Sequence, residues 1–301
     1  MKSLARAILR FLLVGLFQLF RWLPFRWSSA LAAGLMVFVS WFLRRHRRIA
    51  QDNLKHAYPS EGTKYFSRVI TGCFKHIGLT IVELIRFGHR PQEMLKRISV
   101  EGLEHLDQAL SQGRGVVAVT AHLGNFPLMI GCLALKGYSS TVILKPPRDQ
   151  KLNSYFSHRW ENISGARIIY SMPRQQCIQE SLKTLRGNGL LFILPDQNFG
   201  DDGRVFVPFF GRPAATGTGA LVFARRSGAA VVPVFMIRQS DGTHKIIIEK
   251  PLDIQEAATE EEALLIHTRK LTATIERYVR QYPDQWLWFH KRWKTRPQEK
   301  E

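Results

Sequence analysis

The most informative stretch of this chain is Val116-Val117-Ala118-Val119-Thr120-Ala121-His122-Leu123-Gly124-Asn125-Phe126-Pro127. Its first half is an apolar, β-branched strand of the kind that is buried on both faces of a sheet, and an apolar helix follows the Gly-Asn pair. His122 therefore stands at the carboxyl end of a strand, the edge at which open α/β sheets bind their ligands. A histidine there can move a proton near neutral pH. The alternative is a histidine that only caps the following helix.

Strand-like and helical runs alternate along most of the remaining chain, which predicts an α/β fold with a mixed, mostly parallel sheet covered by helices. The predicted strands are Ile98–Val100, Gly115–Thr120, Ser140–Leu144, Arg167–Ile169, Leu190–Leu194, Ala230–Arg238 and Lys245–Glu249. The predicted helices are Arg45–Ala57, Gly62–Phe87, Leu103–Gln112, Phe126–Leu135, Leu152–Ile163, Arg174–Leu185, Thr218–Ser227 and Thr259–Tyr282.

The N-terminal part of the chain is basic and apolar. The chain has 43 Lys+Arg against 24 Asp+Glu, a net charge of +19, and no acidic residue precedes Asp52. Two apolar blocks, Ile8–Phe20 and Ser28–Leu43, precede the cluster Arg44-Arg45-His46-Arg47-Arg48. The second block has about sixteen uncharged residues against the ~20 that span a bilayer, so it either crosses or lies in the interface.

These features predict two parts: a membrane-anchoring helical segment over residues 1–45 and one domain over residues 46–301. The basic cluster after the second block follows the positive-inside pattern, so we expect the domain on the cytoplasmic face of the membrane. The three cysteines, Cys73, Cys132 and Cys177, are widely spaced in apolar surroundings, which favours reduced thiols over disulfides or a zinc site.

A second segment with candidate catalytic residues is Leu194-Pro195-Asp196-Gln197-Asn198-Phe199-Gly200, which follows another predicted buried strand. If its strand neighbours that of His122, the Asp196 carboxylate can bond one ring nitrogen and leave the other as a base. The same residues are also good turn formers.

Two further features suit an anion. A loop rich in glycine and proline, Phe206–Gly219, leads into a helix whose N-terminus could accept a phosphate, and Arg159 could clamp one with its guanidinium. Each also occurs as an ordinary surface feature. The chain has no Gly-x-Ser-x-Gly elbow, Walker loop or metal-spaced His/Cys cluster, which argues against a serine hydrolase, an NTPase and a metalloenzyme.

Together these residues resemble the bacterial lipid A late acyltransferases (lauroyl and myristoyl transferases) and their lysophospholipid acyltransferase relatives. The matching segments are the apolar N-terminus, Arg47-Arg48-Ile49-Ala50-Gln51-Asp52-Asn53-Leu54, Ala57-Tyr58-Pro59, Ala121-His122-Leu123-Gly124-Asn125, Asp196-Gln197, Pro208–Thr216, Ser227-Gly228-Ala229 and Pro283–Pro297.

The resemblance implies an inner-membrane O-acyltransferase of lipid A, lipopolysaccharide or phospholipid synthesis. It would move a fatty acyl chain from an acyl thioester, usually on acyl carrier protein or else on coenzyme A, to a hydroxyl of a membrane lipid such as a lipid A precursor or a lysophospholipid. His122 would be the general base, and no metal or other cofactor is expected. The expected partners are the carrier protein, the lipid acceptor and the anionic bilayer surface, not nucleic acid. Substrate-binding residues would be Arg159, Asn125, Gln197, Gly211 and Arg212.

One position departs from the family pattern. The family has an acidic residue separated from the histidine by four residues, and this chain has Pro127 at that position. Asp196 is our first choice for the acid that orients His122. Glu83 and Glu161 are alternatives, which we expect to be ordinary helix-surface charges. The competing hypothesis is an inactive homologue that binds a lipid or a carrier protein. A nucleic-acid binder is the third hypothesis, but the sequence has no recognised nucleic-acid-binding motif.

Overall fold

The computed structural model describes residues 15, 18–146, 157–158, 160–200, 202–255 and 257–297. Most of the first apolar block, half of the predicted helix Leu152–Ile163 and Arg159 itself lie outside these residues. Residues 160–163 of that predicted helix are helical.

A seven-stranded sheet forms the centre of the molecule, in the order β1-β9-β8-β2-β5-β3-β4. Every neighbouring pair is parallel except the antiparallel pair β8 and β9, so the predicted mixed, mostly parallel sheet is confirmed. The strands among the described residues are β1 Ile98–Glu101, β2 Val116–Val119, β3 Ser140–Leu144, β4 Arg167–Tyr170, β5 Leu190–Ile193, β6 Arg204–Phe209, β7 Arg212–Gly217, β8 Ala230–Arg238 and β9 His244–Ile248.

Helices cover both faces of this sheet. They are α1 Phe25–Phe42, α2 Arg44–Ala57, α3 Thr63–Phe87, α4 Pro91–Leu95, α5 Leu103–Leu110, α6 Phe126–Leu135, α7 Arg174–Arg186, α8 Gly219–Ser227 and α9 Glu260–Gln281. The start of α9 follows from its sequence, because the Thr259 hydroxyl accepts a hydrogen bond from the Glu262 amide at 3.2 Å and three glutamates fill the first turn.

The central strand β2 has an apolar residue at every position because both faces of the sheet are covered. Val117 and Val119 belong to the core cluster on one face, whereas Val116 and Ala118 belong to the cluster on the other. All four side chains are fully buried. The chain leaves the sheet after β2 directly into the segment that contains His122.

The prediction of a loop over Phe206–Gly219 is wrong, because most of this segment belongs to an antiparallel hairpin of β6 and β7. Phe210 and Gly211 make the turn, and both have positive φ angles, 50° and 72°, as a two-residue hairpin turn of type I′ requires. β6 packs against α9, and the hairpin buries Val207 and Phe209. This long-range burial outweighs the loop propensity of its glycines and prolines.

Helix α1 lies side by side with α3 and leaves a broad apolar face uncovered. Gly78 of α3 sits at the contact, where a Cβ atom would overlap the carbonyl oxygen of Ala32. Only Ser28, Ala32 and Ser40 of α1 are buried. Its uncovered face exposes Trp27, Leu31, Phe38, Trp41 and Phe42. Within the described ranges, α1 is the one helix whose length and apolar composition would allow it to cross a membrane.

Candidate active site

His122 and Asp196 meet at the carboxyl edge of the sheet. Their strands, β2 and β5, are adjacent and parallel, with Val119 paired to Ile193. The His122 Nδ1 atom lies 2.9 Å from Asp196 Oδ1, and the His122 backbone amide donates to Asp196 Oδ2 at 2.9 Å. The structure thus brings together the two residues that the sequence placed at the ends of two strands.

The Asp196 carboxylate is a buried acceptor of three hydrogen bonds. Its side chain is 1% exposed, and the third donor is Trp286 Nε1 at 2.8 Å from Oδ2. Burial by itself would raise the pKa of Asp196. The charge of His122 and the hydrogen bonds from His122 and Trp286 outweigh burial, so the pKa lies below its ordinary value. Asp196 is therefore a carboxylate at neutral pH.

This carboxylate sets the tautomer of His122, because an ionised carboxylate can only accept a hydrogen bond. The proton of neutral His122 must then sit on Nδ1, which leaves the lone pair on Nε2. Burial would lower the pKa of His122, but the charge of Asp196 and its hydrogen bond raise the pKa above 6.5. The His122 side chain is 25% exposed, so it is less enclosed than its partner. A histidine held in this way by a buried carboxylate can act as a general base.

The other candidate acids do not reach His122. The family's acidic position is occupied by Pro127, in the first turn of α6, which has no carboxylate. The Glu161 carboxylate accepts a hydrogen bond from the Ile168 amide at 2.9 Å. The expectation that Glu83 is a helix-surface charge is wrong. Its side chain is 3% exposed and pairs with Arg238 at 2.5 Å.

Asn125 does not fit the expected substrate-binding role. It is fully buried, its Oδ1 atom accepts from the Leu128 amide at 3.2 Å, and its Nδ2 atom donates to Glu83 at 2.8 Å. Asn125 is thus the N-cap of α6, with both polar side-chain atoms engaged inside the protein.

The remaining expected substrate residues are at three places. Gln197 directly follows Asp196 and is half-buried. Gly211 lies in the hairpin turn and Arg212 begins β7, and the turn is tied to α9 by a hydrogen bond from the Phe210 amide to Glu276 at 2.6 Å. Arg159 is outside the described residues.

The C-terminal segment 283–297 holds the His122 segment in place by backbone contacts that sequence analysis did not anticipate. The Gly124 amide donates to the Gln285 carbonyl at 3.0 Å, and the Leu287 amide donates to the His122 carbonyl at 3.0 Å. Between them, Leu123 and Trp286 form an antiparallel bridge. The dense aromatic and basic composition of this segment was visible in the sequence, but not its contact with His122.

The same segment also holds the Asp196 loop. His290 Nε2 accepts from the Asn198 amide at 2.9 Å, and the Arg292 guanidinium donates to the Gln197 carbonyl at 3.4 Å and to the Ala215 carbonyl at 2.7 Å. Arg292 is 1% exposed, and burial lowers its pKa to about 10, so it stays protonated. The C-terminal segment therefore fixes His122 and Asp196 relative to each other.

Comparison with known proteins identifies the family of this chain. The family described as bacterial lipid A biosynthesis acyltransferase matches residues 2–295. The lipid A biosynthesis palmitoleoyltransferase of Escherichia coli K12 is 28% identical over 287 residues, which cover 94% of this chain and 90% of that protein. The lipid A biosynthesis lauroyltransferase of the same organism is 26% identical over 287 residues, which cover 95% and 91%.

Among solved structures, the 1-acyl-sn-glycerophosphate acyltransferase of Thermotoga maritima matches with a TM-score of 0.39 and 16% identity, over 84% of this chain and 96% of that one. This likeness is too low to support a conclusion. The family match spans nearly the whole sequence, and the chain therefore belongs to the bacterial lipid A biosynthesis acyltransferase family, whose members are O-acyltransferases.

Proposed function

We propose that this protein transfers a fatty acyl chain from an acyl thioester to a hydroxyl of a membrane lipid, with His122 as the general base. The observation that carries the proposal is the His122–Asp196 pair at the carboxyl edge of the sheet, at 2.9 Å. In a chain of this family, that pair supplies the one group the reaction needs most, a base for the acceptor hydroxyl.

The reaction follows from the tautomer. His122 Nε2 takes the proton of the acceptor hydroxyl while the oxygen attacks the thioester carbonyl carbon, and Asp196 stabilises the imidazolium that forms. The tetrahedral intermediate then collapses. The new C–O ester bond stays, the C–S bond breaks, and the imidazolium returns its proton to the thiolate. No acyl-enzyme intermediate is required.

We further propose the substrate contacts. Arg159 would hold a phosphate or carboxylate of a substrate, with Gln197, Gly211 and Arg212 as additional contacts. The family and the names of the relatives favour a lipid A precursor as the acceptor. The net charge of +19 favours two anionic partners, acyl carrier protein as the donor and the headgroups of the bilayer.

The N-terminal segment would attach the domain of residues 46–301 to the cytoplasmic face of the inner membrane. Exposed aromatic side chains on α1, including Trp27 and Trp41, support this attachment because indole rings favour the headgroup region. Side-by-side packing with α3, whose first half lies in the domain core through residues such as Phe66 and Phe74, favours α1 lying in the interface, since crossing would pull α3 into the bilayer.

The test is acyl transfer by the purified full chain in detergent. It receives acyl carrier protein loaded with a radiolabelled chain, or the matching acyl-CoA, and a choice of lipid A precursor, lysophospholipid or total membrane lipid. We expect a labelled lipid product from the wild type and from Asp253→Asn, an exposed control, and none from His122→Ala. Turnover by folded His122→Ala would refute the role of the base.

A folded wild type that binds carrier protein or lipid but gives no product with any pair of substrates would instead support the inactive homologue. Pro127 is the feature that motivates this second candidate, because the family pattern places an acid there.

A further inference from the structure

Two buried charged residues beside the site have no part in the proposed chemistry. Glu83 is 2% exposed and Arg238 is 7% exposed. Arg238 donates to the Glu83 carboxylate through Nη2 at 2.5 Å and through Nε at 3.1 Å. Burial would raise the pKa of Glu83, but His244 and Arg238 lower it to about 2, so the carboxylate is ionised. A buried ion pair is weak grounds for stability, because desolvation opposes the attraction.

The Glu83 carboxylate reaches the turn after His122 through Asn125. The Asn125 Nδ2 atom donates to Glu83 Oε2 at 2.8 Å, while Asn125 Oδ1 caps α6. Asn125 lies three residues after His122 and is fully buried, so this hydrogen bond links the turn after the histidine to Glu83 on α3.

Arg238 fixes the same turn from the other side. The Gln285 side chain clamps its backbone, accepting from the Arg238 amide at 2.9 Å and donating to the Arg238 carbonyl at 2.9 Å. The Gln285 carbonyl in turn accepts from the Gly124 amide at 3.0 Å. The turn from His122 to Asn125 is therefore attached to the charge pair at two points, Gly124 and Asn125.

We infer that Glu83 is a positioning residue for His122, acting through Asn125 and, with Arg238, through Gln285. The inference rests on the proposed role of His122 as the base. It assigns a purpose to a carboxylate on α3 in a chain where Pro127 replaces the family's acid on α6. Asp196 sets the tautomer of the imidazole, and Glu83 holds the backbone from which the imidazole projects.

Asn125→Ser separates positioning from folding. Serine is as good an N-cap as asparagine, so α6 keeps its cap, but its hydroxyl is too short to reach Glu83.

Two readouts apply to this variant, on protein whose folded fraction is measured by circular dichroism. The first is the split between kcat and KM in the acyl-transfer assay. The second is the proton resonance of His122 Nδ1–H in protein labelled with ¹⁵N-histidine, which reports the hydrogen bond to Asp196 without requiring turnover. His122→Ala identifies the resonance.

For Asn125→Ser we expect kcat to fall about 10- to 100-fold, since small misplacements of a catalytic group cost that much, with KM within about twofold of wild type. The Nδ1–H resonance should shift or broaden.

Wild-type kcat and an unchanged resonance in Asn125→Ser would overturn the inference. Failure of the proposed function gives different results, namely an inactive wild type or an active His122→Ala. In either case the Nδ1–H resonance still tests the positioning role.

Discussion

The Asp196 carboxylate accepts three hydrogen bonds, and an asparagine in its place cannot reproduce all of them. Two N–H donors, the His122 amide at 2.9 Å and Trp286 Nε1 at 2.8 Å, converge on Oδ2. The amide oxygen of an Asp196→Asn variant should occupy that position, because an NH₂ group there would face two donors. Its NH₂ group then faces His122 Nδ1, which must become an acceptor. The proton of neutral His122 moves to Nε2.

His122 thereby loses the lone pair on Nε2 that accepts the proton of the acceptor hydroxyl. In a Ser-His-Asp triad the corresponding change lowers kcat about 10⁴-fold. We expect a loss of about 10³- to 10⁴-fold here, which corresponds to about 4–5 kcal/mol in the barrier. Stability should change little, because two of the three hydrogen bonds persist and the third reverses its direction, with a loss of about 1–2 kcal/mol.

The assay is the initial rate of radiolabelled acyl transfer at saturating donor, measured for wild type, Asp196→Asn and the exposed control Asp253→Asn. Thermal unfolding of each variant excludes loss of fold as the cause. A rate for Asp196→Asn within tenfold of wild type, with His122→Ala inactive, would refute the reasoning from the tautomer.

Four further predictions follow from the site and its supports. The rate should rise with pH through the pKa of His122, which lies above 6.5, and a profile of kcat/KM against pH should show its acid limb there. Glu83→Ala should cost about 3–5 kcal/mol in denaturant unfolding, because a buried cation loses its partner. Gly124→Ala should cost about 2–4 kcal/mol, because Gly124 has a φ of 58° and an added Cβ would overlap the carbonyl oxygen of Met236. Replacing Trp27 and Trp41 by glutamine should weaken sedimentation with anionic vesicles without lowering the melting temperature, since both side chains are exposed.

Each of these predictions has a direct control. An acid limb at or below 6.5 would contradict the raised pKa of His122. The Glu83 contribution should be complete above pH 4.5, its ordinary pKa, and be lost as the pH falls through about 2, so the stability of Glu83→Ala should depend less on pH in that window. Wild-type stability of Gly124→Ala would contradict the close approach. Undiminished vesicle binding by the double tryptophan variant, against Leu265→Gln on the exposed surface of α9, would contradict attachment through α1.

Several elements could be predicted from local pattern because their causes are local. The strands Ser140–Leu144 and Ala230–Arg238 and the helix Phe126–Leu135 have the predicted bounds. Strand composition and helix capping act over a few residues, so a short window contains the information. The hairpin Arg204–Gly217 was missed, because its glycines and prolines are typical of loops and only packing against α9 reveals it as a hairpin.

Local sequence pattern likewise predicted some parts of the candidate site and not others. His122 and Asp196 could each be placed at the end of a buried strand, but they are 74 residues apart, and their contact depends on β2 and β5 being neighbours. Two strands, β3 and β4, separate them in sequence without separating them in the sheet. Trp286 and Glu83 could not be assigned, because a tryptophan in an aromatic run and a glutamate in a helix do not reveal which interior group they contact.

Residue types in order along the chain were sufficient to predict the periodic elements, the basic and apolar character of the N-terminal segment, and the family. The order of the strands, the contact between Asp196 and His122, and the burial of Glu83 became visible only in the three-dimensional structure. The difference lies in the distance along the chain over which each interaction acts. Steric and hydrogen-bonding preferences fix local conformation, whereas the pairing of distant polar groups is fixed by which of them are buried together.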